Sequence, residues 1–260
     1  MIRIRKKLRN REKMRIDRLT EEAKRRKDVS AELFLESELN AYADADCFFF
    51  HGRRRRPAGL LTVFFPDEVR AEITVAGFSG EDRVFTELYH RALAECESIG
   101  IRWVYTVVDP AWGFELERVK GFSFSYVKSE YMLSAKLEKL AGLPGDVGKE
   151  ISFVKEDGEE EDGAVRYVLR KDGRLVSECR ILLMEDGVQP YLFGLKTEEA
   201  FRRQGFAAYL IREVANVYRK KSGERLLLQV ASDNVPAVTL YRKLGFAPEE
   251  ERAYYETKEQ

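Results

Sequence analysis

Histidine, cysteine and long apolar runs are all scarce in this chain. His51 and His90 are the only 2 histidines among 260 residues, which leaves little room for a histidine-built metal site. The 3 cysteines, Cys47, Cys96 and Cys179, are far apart and odd in number. They neither make a disulfide framework nor show metal-ligand spacing. No apolar stretch approaches the roughly 20 residues of a membrane-spanning helix. Charges rather than an apolar core follow Met1, so a secretory signal is not expected either. The expectation from these absences is a metal-free, cytoplasmic globular protein with no membrane partner.

Charge is what the chain has in excess. Charged residues make up 35% of the sequence, against roughly 25% in an average domain. The signs balance at 45 Lys+Arg and 45 Asp+Glu, while 44% apolar and 12% aromatic residues supply a sizeable core. That content argues against global disorder. The balance hides an asymmetry. Residues 1–27 hold 13 basic and 4 acidic side chains, a net of +9, so the remainder carries −9. Such a block suits a nucleic-acid or anionic-lipid contact. It also fits a structural role, because Leu8, Ile16, Leu19 and Ala23 recur near helical spacing. An amphipathic helix would lay its long basic side chains over the rest of the fold.

Beyond residue 47 the pattern alternates between strand and helix. Cys47–Phe50, Leu60–Phe65, Ala71–Gly77, Trp103–Val108 and Tyr126–Leu137 read as strands. Glu81–Ile99 carries an apolar face at helical spacing and closes at Gly100, and Ala111–Lys120 reads as a second helix. Ala141-Gly142-Leu143-Pro144-Gly145 has the composition of a linker. The plan then repeats. Ile151–Val154, Val165–Lys171, Arg174–Met184 and Gln189–Lys196 are expected strands, with Lys171-Asp172-Gly173 a hairpin turn. Phe206–Lys221 is an expected helix ending at Ser222-Gly223. Leu226–Val230, Pro236–Leu244 and Ala253–Glu256 follow as strand, helix and strand. Strands 104–109 and 228–233 lie 124 residues apart, as do Gly121-Phe122 and Gly245-Phe246. The upstream helices fit an offset near 122. Two α/β units at nearly one offset indicate an internal duplication. The expected division is residues 1–140 with a basic N-terminal helix, a linker at 141–147, and 148–260.

The second copy concentrates the chemistry. Arg202-Arg203-Gln204-Gly205-Phe206-Ala207 stands between a strand and a helix. Gly205 lets the backbone approach a ligand closely, and the first helical N–H groups and the helix dipole favour an anion there. The two arginines add positive charge, so a pyrophosphate is the expected guest. Gly194, inside the preceding strand, suggests a bulge that would free backbone groups for an extended ligand. Asn234 precedes Pro236 at the next helix start, and Tyr241 lies near that helix's end, before Gly245.

This constellation resembles the GNAT superfamily of N-acetyltransferases. Arg202–Ala207 is similar to its R/Q-x-x-G-x-G/A acetyl-CoA loop, and Leu195-Lys196-Thr197 to its pantetheine-binding strand end. Asn234 and Leu240-Tyr241-Arg242-Lys243-Leu244-Gly245-Phe246 resemble its Asn and L-Y-x-K-x-G-F signature. The strong match covers about residues 164–256. The first copy resembles the topology with the site eroded: Gly77-Phe78-Ser79-Gly80-Glu81-Asp82-Arg83 carries acids where the loop should be, and Glu117 stands at the position of Tyr241. The resemblance therefore implies an α/β fold of two tandem GNAT-like domains. Each is a mostly antiparallel sheet flanked by helices, with a splayed central strand pair, an arrangement also known from mycothiol synthases.

The activity implied is direct attack of a primary amine on the acetyl-CoA thioester. Leu195, Lys196, Thr197, Arg202, Arg203, Gln204, Gly205, Phe206, Ala207 and Asn234 would hold acetyl-CoA, and Tyr241 would act as general acid. No metal is required. Glu178, Glu198, Glu199 and Asp233 lie within reach of the site, and none carries a motif that singles it out as base. The acceptor is a small-molecule or peptide amine. Two alternatives stand beside this reading: a CoA-binding sensor without catalysis, and a nucleic-acid-associated protein acting through the basic N-terminus. The usual pair of acceptor-contacting helices does not fit between Val154 and Val165, where the chain carries an acidic run, 156–162.

Overall fold

The structure is a computed structural model that describes all residues except 34, 36–47, 54–55, 146, 149, 157–162, 185–187 and 221–223. Cys47, Arg54, Arg55, the acidic run after Glu156 and the Ser222-Gly223 helix end thus lie outside the described residues. The chain divides into two compact units, one of Met1–Ser129 with Glu251–Gln260 and one of Glu130–Glu250. Each unit has its own apolar core. The division differs from the one expected at 141–147, because two long strands, at 122–136 and 247–259, each contribute residues to both units.

The first unit is built from β1 (Ile2–Arg5), α1 (Asn10–Arg25), β2 (Phe48–Arg53), β3 (Arg56–Phe64), β4 (Arg70–Gly77), α2 (Asp82–Ser98), β5 (Trp103–Val108), the start of β6 (Phe122–Lys136) and the end of β12 (Ala247–Glu259). Its antiparallel ladders join β1 to β2, β2 to β3, β3 to β4, and β5 to β12. The central pair β4–β5 is parallel, from Arg70–Trp103 to Ile73–Thr106, and a parallel pair needs the crossover that α2 provides. Helix α2 buries Val84, Phe85, Leu88, Tyr89, Ala92 and Cys96 on one face, and Gly100 ends it with φ +84°. The helix expected over Ala111–Lys120 is instead two short 3-10 turns, Pro110–Trp112 and Leu116–Arg118. Gly113, left-handed at φ +71°, separates them and breaks the helical path.

The basic N-terminal segment folds onto this unit. Helix α1 buries Ile16, Thr20 and Ala23, and Lys24 lies 4.4 Å from the Trp112 ring centroid. Beyond α1 the chain turns at Lys27, φ +61°, and residues 28–31 run antiparallel along β4, with Val29 opposite Ala76. The Ser30 N–H donates to the Val75 carbonyl at 2.8 Å and the Gly77 N–H to that of Asp28 at 2.7 Å. The Val75 N–H donates to the Ser30 hydroxyl at 2.6 Å. On the other side the Asp109 N–H, at the end of β5, donates to the Ser30 carbonyl.

The second unit contains the end of β6, α3 (Leu137–Ala141), β7 (Ile151–Glu156), β8 (Val165–Lys171), β9 (Arg174–Met184), β10 (Gln189–Thr197), α4 (Phe206–Tyr218), β11 (Arg225–Ala231), α5 (Val235–Leu244) and the start of β12. Antiparallel ladders run through β7, β8, β9 and β10, and between β11 and β6. The central pair β10–β11 is again parallel, with α4 as its crossover. Helix α4 buries Phe206, Leu210, Ile211, Val214, Ala215 and Tyr218. Val84, Leu88, Tyr89, Ala92 and Cys96 of α2 each have a buried counterpart 122 residues on, at Phe206, Leu210, Ile211, Val214 and Tyr218. The parallel pairs correspond too. Trp103 pairs with Arg70, and Leu227, 124 residues later, pairs with Tyr191. Repetition of core positions as well as elements is the mark of a duplicated fold.

Candidate functional site

In the second unit β10 and β11 pair only through Tyr191–Leu227 and Leu192–Leu228. Past that point they part. The divergence coincides with a bulge on β10, where register with β9 shifts between Phe193–Arg180 and Lys196–Glu178. Two residues, Gly194 and Leu195, thus face the single Cys179. Gly194 takes φ +61°, a conformation that glycine reaches without Cβ strain. The strand end is held from the β9 side: the Ser177 hydroxyl donates to the Lys196 carbonyl at 2.8 Å and contacts the Thr197 hydroxyl at 2.9 Å. Among the described residues, no strand pairs with the β11-facing edge of residues 193–197.

Helix α4 opens beside this strand end. A 3-10 turn, Glu199–Phe201, leads into the loop. The Arg202 Nε donates to the Thr197 carbonyl at 3.1 Å, and the Gln204 amide to the Ala200 carbonyl at 2.9 Å. Arg203 is left-handed at φ +60° and Gly205 at φ +88°. Gly205 is the N-cap, and no side chain caps the helix. A Cβ on Gly205 would meet no protein atom within 4 Å, so the residue is required by its backbone angle and the space above it is open. Exposed Arg202 and Arg203 flank that space, while Phe206 turns its ring inward, 5.8 Å from Phe201. Phe206 and Ala207 therefore offer backbone N–H groups. These donors, the helix dipole and two guanidinium groups fit a diphosphate.

Asn234 caps α5, its side-chain oxygen accepting from the Ala237 N–H at 3.3 Å; it is exposed. Tyr241, at the far end of α5, is 6% exposed and stacks edge-on against Phe246 at 5.5 Å. Burial pushes its phenol up to about 12, with smaller contributions from Cys179 and Tyr191. Cys179 lies opposite the bulge and Tyr191 in the parallel pair that precedes it. The Tyr241 hydroxyl has no hydrogen-bond partner among the described residues. Tyr191 was not marked by the sequence, where it reads as an ordinary strand residue; burial raises its phenol as well.

The nearby carboxylates are largely engaged. Arg166 binds Glu178 through Nε at 2.9 Å and Glu156 through Nη1 at 2.6 Å, and Lys196 pairs with Glu198 at 2.9 Å. The two histidines serve the first unit structurally: His51 meets Glu87 at 2.6 Å and His90 meets Glu259 at 3.0 Å. No cluster of potential metal ligands occurs among the described residues, and no described helix is long and apolar enough to cross a membrane.

The corresponding place in the first unit is filled. Strand β4 pairs with β3 without a bulge from Phe64–Glu72 to Gly59–Gly77. The start of α2 carries Asp82, bound by the Arg118 Nε at 2.7 Å. The Arg118 Nη1 holds Asp28 at 2.5 Å, and the Arg26 Nη2 donates to the Gly77 carbonyl at 3.1 Å.

The second unit combines a parallel pair that splays at a bulge with a glycine-initiated helix at its mouth, and likeness to solved structures shows a tandem GNAT fold for the chain. Residues 136–246 match the Acetyltransferase (GNAT) family. A protein of Bacillus subtilis (strain 168), provisionally described as a ribosomal protein bS18-alanine N-acetyltransferase, is 34% identical over 90 residues, 35% of this chain and 58% of that protein. The chain thus spans little more than half the length of this relative. Among solved structures, a tandem GNAT protein from the clavulanic acid biosynthesis pathway superposes with TM-score 0.66 at 12% identity, over 100% of this chain and 98% of that one. An acetyltransferase from the GNAT family of Colwellia psychrerythraea gives 0.56 at 16% identity, over 99% and 100%.

Proposed function

We propose that the second unit is an acetyl-CoA-dependent N-acetyltransferase. The observation that carries this is the convergence, in one unit, of the bulged free edge at Gly194–Leu195, the uncapped start of α4 and the neutral phenol of Tyr241. The diphosphate of acetyl-CoA is held by the Gly205–Ala207 amides with Arg202 and Arg203. The pantetheine arm lies along Leu195–Thr197, and Gln204 and Asn234 line the cleft. The acceptor nitrogen attacks the thioester carbonyl, the C–S bond breaks, and the departing thiolate takes the Tyr241 proton. The raised phenol keeps its proton at any physiological pH, although its transfer to the thiolate is uphill from so weak an acid. The β10 amides at the bulge stabilise the charge developing on the carbonyl oxygen. The ammonium gives one proton to solvent before attack, and the second proton, lost from nitrogen as the amide forms, restores the Tyr241 phenol through solvent.

The relative's description directs the acceptor search to an α-amine on a peptide beginning with alanine. Thiol release from acetyl-CoA, measured across a panel of such peptides, polyamines and amino sugars, identifies the acceptor class. Calorimetric titration of acetyl-CoA into wild type and Gly205→Glu tests the donor site: binding by wild type and its loss in the variant are expected. No binding by wild type, or equal binding by both, overturns the assignment. The bound but inert sensor is a second reading only if thiol release is absent throughout the panel.

A further inference from the structure

The two units share a parallel pair that separates beyond its first few residues, yet they treat the gap differently. In the second unit, among the described residues, no strand pairs with the β11-facing edge of β10 beyond Leu192. In the first unit the corresponding edge of β4 is taken by residues 28–31. Val29, Ser30 and Ala31 are all 0% exposed and Asp28 is 6% exposed. Ser30 joins both sides of the gap: its N–H and hydroxyl serve Val75 of β4, and its carbonyl accepts from Asp109 at the end of β5.

The charge follows the same plan. Asp28 leads this segment and sets its carboxylate beside the loop before α2, where a Cβ on Gly80 would lie 3.6 Å from Asp28 Oδ2. Arg118 binds it together with Asp82, and Arg26 reaches its Oδ2 at 3.1 Å. An anionic group near the crossover helix and an extended backbone between the splayed strands are the two things that the open site proposed for the second unit would receive from its ligand. We infer that residues Asp28–Ala31 occupy the donor groove of the first unit in cis, so that the protein binds one acyl-CoA per chain. The inference rests on the donor site proposed for the second unit. It also assigns part of the basic N-terminal segment a task, because α1, Lys27 and Arg26 deliver and hold this insert.

The full chain is tested by native mass spectrometry with acetyl-CoA and by hydrogen exchange, free and with acetyl-CoA. The expected stoichiometry is one ligand per chain. The Ser30, Val75, Gly77 and Asp109 amides should be protected in the free protein and unchanged by ligand, while Leu195–Thr197 and Phe206–Ala208 gain at least about tenfold protection. Two ligands per chain, new protection at 75–77 on adding acetyl-CoA, or loop-like exchange of Ser30 and Gly77 in the free protein overturns the inference. If no adduct forms while Ser30 and Gly77 stay protected, the donor assignment of the second unit fails and the occupation of the first groove stands.

Discussion

At the scale of single residues, backbone angle and neighbouring space assign different roles to glycines that look alike in sequence. Gly205 sits at φ +88° in open space, so Gly205→Ala introduces left-handed strain of about 1–2 kcal/mol without a clash. Its urea midpoint should fall modestly, and donor affinity should fall with it as the loop relaxes. Gly77 has the opposite problem: a Cβ there would meet the Phe85 ring at 2.6 Å. Gly77→Ala should destabilise by about 1–3 kcal/mol through overpacking, read as a lowered Tm, with donor binding intact. Tyr241→Phe removes a hydroxyl that has no partner among the described residues. Tm should therefore hold, while kcat drops about 10²–10⁴-fold if the phenol is the general acid and donor KM changes little. An unchanged kcat would return Tyr241 to the status of a packed ring.

At the scale of elements, the strands whose pattern is strong were readable to the residue. Trp103–Val108, Val165–Lys171 and Arg174–Met184 appear in the structure with the expected limits. Asp172 and Gly173, at φ +48° and +75°, make the hairpin turn between the last two. Other elements left weaker traces. The Ile-Arg alternation of β1 is hidden within the basic run, and Pro110 with Gly113 overrode the apolar spacing that suggested a helix at 111–120. Residues 28–31 are too few to show any period, so their place in the sheet is set by tertiary hydrogen bonds. Gly194 gave a local signal for the bulge because a glycine inside a strand has few other uses. The partners that lock it, Ser177 and Cys179, gave none. Asp28→Asn should loosen the insert, weakening the Arg118 and Arg26 pairs in a largely buried setting. A loss of roughly 1–3 kcal/mol is expected, with faster amide exchange at Ser30 and Gly77 as the local readout.

For the whole molecule, buried acids set the alkaline limit. Burial pushes the Cys96 and Cys179 thiols up to about 12, and it raises the Tyr89 and Tyr241 phenols. In the unfolded chain these thiols ionise near pH 8.5 and the phenols near pH 10. The folded state keeps its protons where the unfolded state has lost them, so stability is full below about pH 8.5 and declines as pH rises toward the folded values. Each group contributes a slope of about 1.4 kcal/mol per pH unit within its window. Urea unfolding at pH 8, 9 and 10 should show this decline, and Cys96→Ala with Cys179→Ala should flatten its first part.

The strands β6 and β12 have a consequence in time. Glu130–Glu250 is a continuous stretch, whereas the first unit is completed by Glu251–Gln260, whose Ala253–Glu256 pairs with Val108–Tyr105 of β5. On a ribosome working at about 5–20 residues per second, the earlier-made portion waits roughly 6–24 s for its final strand. Throughout that interval one side of β5 stands unpaired, an edge open to other chains. The unit that is started first is finished last, and nascent chains are most exposed to aggregation in the half that carries no proposed chemistry.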